Sequence, residues 1–330
     1  MDIVALIAAL VLSFGFGLLF AALLYWLDRY EKEPALLLGG VFLWGATVSA
    51  GMSFVINTVL GLGAYVISGS DVFTELVVGS LIAPPVEESL KALAVLLVFL
   101  LFRNEFDSVM DGIVYAGVAG LGFAATENVM YLFSAYREDG FSFMAVLLVL
   151  RILLGGWNHA FYTAWTGIGL AVARLNRNPL VKIGAPLAGW GFAVLTHSIH
   201  NSLPGLLDVV GLVLMLLMDW GGWLVMFGII LWAVYRQGRW MRTYLREEVQ
   251  HGVITPAQYQ TACSSWAQTG ARFNALFSGR YQDTRRFYEL CATLAFKKHQ
   301  RVRVGEEKSN TTMIEELRRD LGRLSAQLKV

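Results

Sequence analysis

The run Glu87-Glu88-Ser89-Leu90-Lys91 places two carboxylates and an amine within about one helical turn. Neighbours on a helix point about 100° apart, so one glutamate is free to act while the other orients it. Lys91 stands one turn on from both and neutralises the pair. Close carboxylates away from bulk water do not ionise alike, which suits general base and acid work on a water molecule. The plainer reading is an internal ion pair that tightens a bundle. Glu127 ends the run Gly120-Leu-Gly-Phe-Ala-Ala-Thr-Glu127, whose small residues allow close helix packing but give no account of a carboxylate. His159 follows Gly155-Gly156-Trp157-Asn158, and His197 and Asn201 share a helix face at i,i+4 with His200 at i,i+3. Two imidazoles and a carboxylate suit zinc or another divalent metal. An imidazole and an amide suit hydrogen bonds to an oxyanion instead. Both readings stay open on these residues.

The elements that carry these groups are apolar. The chain has 330 residues, 56% hydrophobic and 15% charged, against roughly 25% charged in a soluble domain. Residues 1–235 hold 25 charges and residues 236–330 hold 26, with 17 of the 26 Lys and Arg in the second part. The expected division is therefore a transmembrane domain over 1–235 and a basic helical tail over 236–330. Two cysteines, Cys263 and Cys291, cannot build a disulfide or zinc scaffold. No phosphate-binding or dinucleotide glycine motif is present.

A membrane-spanning helix needs about 20 mostly apolar residues. Seven such stretches fall at 3–27, 35–70, 76–102, 112–136, 140–173, 183–207 and 209–235, which predicts an all-α polytopic bundle of about seven spans. The first is too long for a usual signal peptide and lacks a positive leader. Alternate loops carry Arg29 and Lys32, Arg103, and Arg174, Arg177 and Lys182, against Arg137 alone in the others. The positive-inside rule then puts the N-terminus outside and the tail in the cytoplasm. Tail helices are expected after Thr255-Pro256, an N-cap with Pro at the first helical position, and at a Thr312–Glu315 capping box. Ile314, Leu317, Leu321, Leu324 and Leu328 have coiled-coil spacing but span about two heptads, so docking on other tail helices is expected.

A charge at mid-bilayer costs roughly 2.5–3.5 kcal/mol on insertion scales, so intramembrane ionisable residues are functional candidates. At 1.5 Å per residue, Glu87 and Glu88 lie ~17 Å, Glu127 ~12 Å, His159 ~12 Å and His197 ~9 Å below the outer surface. Four helices thus bring a carboxylate or imidazole to one layer. Arg151 is expected to reach the outer interface and Asp219 to pair inside the bundle.

In this order, each on its own span, the motifs resemble the PrsW family of intramembrane proteases, within the wider group of CAAX-prenyl endopeptidases. They are Glu87-Glu88-Ser-Leu-Lys91, Phe123-Ala-Ala-Thr-Glu127, His159-Ala-Phe-Tyr and His197-Ser-Ile-His-Asn201. The resemblance covers spans three to six and does not reach the tail. It implies cleavage of a membrane-anchored protein, of the anti-sigma-factor kind, in a bacterial cytoplasmic membrane near its extracytoplasmic side. It assigns catalysis to Glu87, Glu88, Glu127, His159 and His197, with Lys91, Phe123, His200 and Asn201 in support. The family is classed as metalloproteases, which implies His159 and His197 as zinc or other divalent-metal ligands with Glu127 completing the set or orienting a histidine, whereas the related CAAX enzymes imply a glutamate-activated water with no firmly required metal. The competing class is a transporter or non-catalytic binding protein whose buried Glu and His form a proton relay or partner site. The tail is expected to meet a cytoplasmic partner or anionic lipid. No nucleic acid is expected, because the tail shows no recognisable binding module.

Overall fold

In the computed structural model, which describes residues 1–306 and 309–328, every regular element among the described residues is a helix. Helix α1 (Asp2–Leu27) buries Ala5, Ala9, Ser13 and Gly17 at four-residue spacing, a stripe of small side chains that lets a neighbouring backbone come close. Next, α2 (Ala35–Leu43), a π-helical turn (Trp44–Ser49) and α3 (Ala50–Ser68) run on as one apolar stretch. It stops at Gly69, whose φ of 62° few other residues adopt. Ser70 then caps α4 (Asp71–Val77) by accepting a hydrogen bond from the Phe73 amide. A second π-helical turn (Val78–Ile82) leads into α5 (Ala83–Leu101).

Helix α6 (Val109–Leu147) starts at a full capping box of Ser108 and Asp111 and is the centre of the bundle, with every residue from Met110 to Ala125 buried. Its glycines make this possible. A Cβ on Gly122 would stand 2.0 Å from the Phe42 carbonyl oxygen, and one on Gly120 2.4 Å from that of His159. A third π-helical turn (Leu148–Leu154) precedes α7 (Asn158–Arg174), and α8 (Pro179–Tyr244) follows.

Both long helices reverse direction. Arg151 bonds Glu127 at 2.6 Å, although 24 residues of straight helix would hold them about 36 Å apart. The turn lies at Asp139 and Gly140, the non-helical residues of α6. His200 likewise bonds Asp219 across the non-helical Asp208 of α8. The breaks fall between the expected spans 112–136 and 140–173, and between 183–207 and 209–235. Four helical stretches are long and apolar enough to cross a membrane. With two of them reversing, and with residues 71–101 carrying three charges of their own in α5, the chain makes seven helical passes. Leu36, Val66, Ile67 and Leu224 stand exposed, as side chains turned toward lipid do.

The chain divides into two compact units, Met1–Trp26 with Glu33–Ala173 and Leu180–Gly228, and Leu27–Lys32 with Arg174–Pro179 and Ile229–Val330. The second contains α9 (Arg246–Gln250), α10 (Pro256–Ala262), α11 (Ser265–Phe277), α12 (Tyr281–Val304) and α13 (Asn310–Gln327). Thr255 caps α10 in a box with Gln258, as its position before Pro256 predicts. The expected Thr312 capping box does not form. Helix α13 starts three residues earlier, from Ser309, and Thr311 instead binds the Glu306 carboxylate. Ile314 and Leu321 are buried against Phe287, Cys291 and Leu294, with Leu317, Leu324 and Leu328 beside them, so the heptad-like stripe docks within the tail. At the base of that core Glu248 receives two hydrogen bonds from Arg318, at 2.7 and 2.9 Å, and one from Lys298. Burial pushes the Glu248 carboxyl up, but these donors outweigh it and hold it below the usual carboxylate range.

Candidate active site

Pro84 and Pro85 stand at the start of α5 and donate no amide hydrogens. The π-helical turn before them sends the Ala83 amide to the Val78 carbonyl. The next amide in that register belongs to Pro84 and has no hydrogen, so the Gly79 carbonyl is left without a helical donor. Asn201 supplies one, its Nδ2 donating to Gly79 O at 2.8 Å. This places Asn201, and with it His197 one turn earlier, against the first turns of α5.

The two glutamates of α5 have unlike surroundings. Glu88 is fully buried and saturated: Lys91 donates at 2.8 Å, Thr163 at 2.8 Å, and the His197 Nδ1 lies at 3.0 Å. Glu87 is nearly as buried, but its Oε1 has only the Asn57 amide at 3.5 Å, and its Oε2 has no hydrogen-bond partner. That oxygen lies 3.8 Å from His197 Nε2 and 3.5 Å from Lys91. A buried carboxylate oxygen without a donor is costly unless something else occupies it.

Each imidazole is held by a carboxylate on one nitrogen. His197 gives Nδ1 to Glu88, and His159 gives Nε2 to Glu127 at 2.9 Å. An ionised carboxylate only accepts, so those nitrogens carry the hydrogens and the opposite ones carry lone pairs. Glu87, His159 and His197 each offer an atom within 4.8 Å of the other two. Those three groups could hold a metal ion, with the Lys91 ammonium 3.0 Å from His159 Nδ1 beside them.

Glu87 lies within ligand distance of both imidazoles, whereas Glu127 contacts His159. Glu127 holds the His159 ring through Nε2. Lys91 reaches both α5 glutamates, lies 3.0 Å from His159 Nδ1 and sits 3.9 Å over the Phe123 ring. Arg151 turns inward rather than snorkelling. It binds Glu127 and Asn128 and lies 3.6 Å over the Tyr131 ring. Asp219 is buried among Asn158, Tyr162 and His200. A cavity of about 390 Å³ is lined by Glu127, Arg151, His159, His197, His200 and Asp219 among others.

Sequence reasoning missed Asn57, Thr163 and the stacking of Tyr162 on His197, whose rings lie 4.8 Å apart at 17°. Thr163 had a signal, since it shares a helix face with His159 at i,i+4. Asn57 had none, because its partner is 30 residues away on another helix.

A family model described as the PrsW family intramembrane metalloprotease matches residues 33–235. "Protease PrsW" of Clostridioides difficile is 34% identical over 119 residues, 35% of this chain and 48% of that protein, so the chain matches about half of that relative's length. Proteins of the same name from Geobacillus kaustophilus and Bacillus subtilis are 26% and 27% identical, over 70% and 66% of this chain and 91% and 87% of theirs. No solved structure matches.

Proposed function

The chain belongs to the PrsW family of intramembrane metalloproteases, and from that premise we propose that it hydrolyses a peptide bond in a membrane-anchored protein of the anti-sigma-factor kind, near the extracytoplasmic face of a bacterial membrane. The observation that carries this reading is the convergence of Glu87, His159 and His197, with the free Glu87 oxygen among them. Glu87 holds the attacking water and takes its proton as the oxygen adds to the carbonyl carbon. Glu88 fixes His197 and Glu127 fixes His159, so both rings keep their lone pairs turned inward. Lys91 keeps Glu88 ionised and in place.

Zinc or another divalent ion would be held by Glu87, His159 and His197, and when bound would polarise the scissile carbonyl and acidify the water. Glu87 has only long contacts, Asn57 on Oε1 and the Lys91 ammonium beside Oε2, both at 3.5 Å, so one oxygen is available to a ligand role and the other to the proton. The test is cleavage of a tagged single-pass protein by the purified chain in lipid nanodiscs. Cleavage should stop in Glu87→Gln, stop with a chelator and return on adding zinc. Chelator-resistant cleavage that still needs Glu87 would leave the carboxylate role standing and remove the metal. Cleavage indifferent to Glu87 would overturn the assignment.

A further inference from the structure

The scheme above leaves unused the polar group on the same cavity formed by His200 and Asp219. Asp219 is 1% exposed and accepts hydrogen bonds from Asn158 Nδ2 at 2.8 Å and from the Tyr162 hydroxyl at 3.4 Å. Both donors are neutral. Among the described residues no lysine or arginine is paired with Asp219, and its remaining partner is His200, whose Nδ1 lies 2.9 Å from Oδ2 and 3.1 Å from Oδ1. His200 is thus the one side chain bonded to Asp219 that is able to carry a positive charge. With Nδ1–H given to Asp219, Nε2–H is left without a protein partner among the described residues. The ring is partly open, and it lines the cavity that His159 and His197 also line. The Tyr162 ring spans the gap, 5.8 Å from His200 and 4.8 Å from His197.

We propose that His200, oriented by Asp219, is the proton donor to the leaving amine. The proposal rests on the hydrolytic reading above. Water adds to the carbonyl carbon and loses a proton to Glu87. The C–N bond then breaks, its electron pair stays on nitrogen, and His200 Nε2 supplies the proton that nitrogen needs. His200 is left neutral with Nδ1–H still on Asp219, and both groups return to their starting states by exchange with bulk water. No oxidant or further reactant is required. An amine cannot leave as its anion, so without a donor the adduct reverts. The reversal of α8 at Asp208 brings His200 and Asp219 together, and Asn158 ties Asp219 to the residue before His159.

A purely structural clamp between the two arms of α8 would use the same contacts, and the leaving group separates the two roles. The full chain in nanodiscs is given two reporters of one sequence, one with the scissile amide and one with a thioester in its place. A thiol, with an ordinary pKa of about 8.5, departs as its anion without a donor. His200→Gln and the isosteric Asp219→Asn should lower amide cleavage by about 10²-fold or more while thioester cleavage falls by less than about tenfold. Asp219→Asn preserves the packing if His200→Gln does not fold. Equal loss on both reporters, or no loss on either, overturns the donor role. Failure of the unaltered protein to cut either reporter overturns the hydrolytic reading and the donor with it.

Discussion

At the scale of single residues, the chemistry turns on an asymmetry between two adjacent glutamates. Glu88 is saturated by Lys91, Thr163 and His197, whereas Glu87 keeps an oxygen free. The two substitutions should therefore act differently. Glu87→Gln removes the proton acceptor, and turnover should fall by about 10²–10⁴-fold. Glu88→Gln leaves the acceptor but loosens His197, so zinc affinity should drop about 10–100-fold, measured by titration with a competing chelator. Identical affinity in Glu88→Gln would show that the His197–Glu88 bond does not tune a metal site. The sequence made both carboxylates visible because charge is rare in apolar spans. It did not say which one acts, since that depends on Thr163 and His197, 75 and 109 residues distant from Glu88.

At the scale of elements, the site depends on helices that approach backbone to backbone. The Gly120 Cα faces the His159 carbonyl with no room for a methyl, so Gly120→Ala must push the start of α7 away from α6. Overpacking of this kind costs about 1–3 kcal/mol, and a shift near 1 Å at reacting groups costs about 10²-fold in rate. Activity should thus fall further than melting temperature. The control is Gly191→Ala on α8, where a methyl meets open space and both readouts should hold. Equal behaviour of the two variants would contradict the packing account. The hydrophobic runs and the charge at their ends made the spans legible, down to the breaks at Asp139–Gly140 and Asp208. The three π-helical turns were not legible. They carry no composition signal, yet they contain Arg151 and free the Gly79 carbonyl that positions Asn201. Thr312 shows the opposite error, a capping pattern in the letters that loses to Glu306 binding Thr311.

At the scale of the whole molecule, charge density rises abruptly near residue 236, where the apolar runs give way to a charge-rich helical stretch. Impermeant maleimide should label Asp139→Cys in intact cells and Ser278→Cys only after permeabilisation. The reverse pattern would invert the topology drawn from Arg and Lys in the loops. Cohesion of the tail rests partly on Glu248. Its folded carboxyl binds a proton more weakly than the unfolded one, so this stabilisation is complete above about pH 4.3 and is lost as pH falls through the lower folded value. Proteolysis of the tail should accelerate below about pH 4, and Glu248→Gln should flatten that dependence. A wild-type acid response in Glu248→Gln would place the acid sensitivity elsewhere.

The central claim is that peptide hydrolysis takes place at Glu87, His159 and His197. The most direct measurement is the single-turnover rate on a tagged single-pass substrate in nanodiscs, for the unaltered chain, Glu87→Gln and His197→Ala, each at matched folded fraction. The account predicts one defined cut by the unaltered chain and a loss of about 10²-fold or more in both variants. Undiminished cleavage in either variant would contradict it.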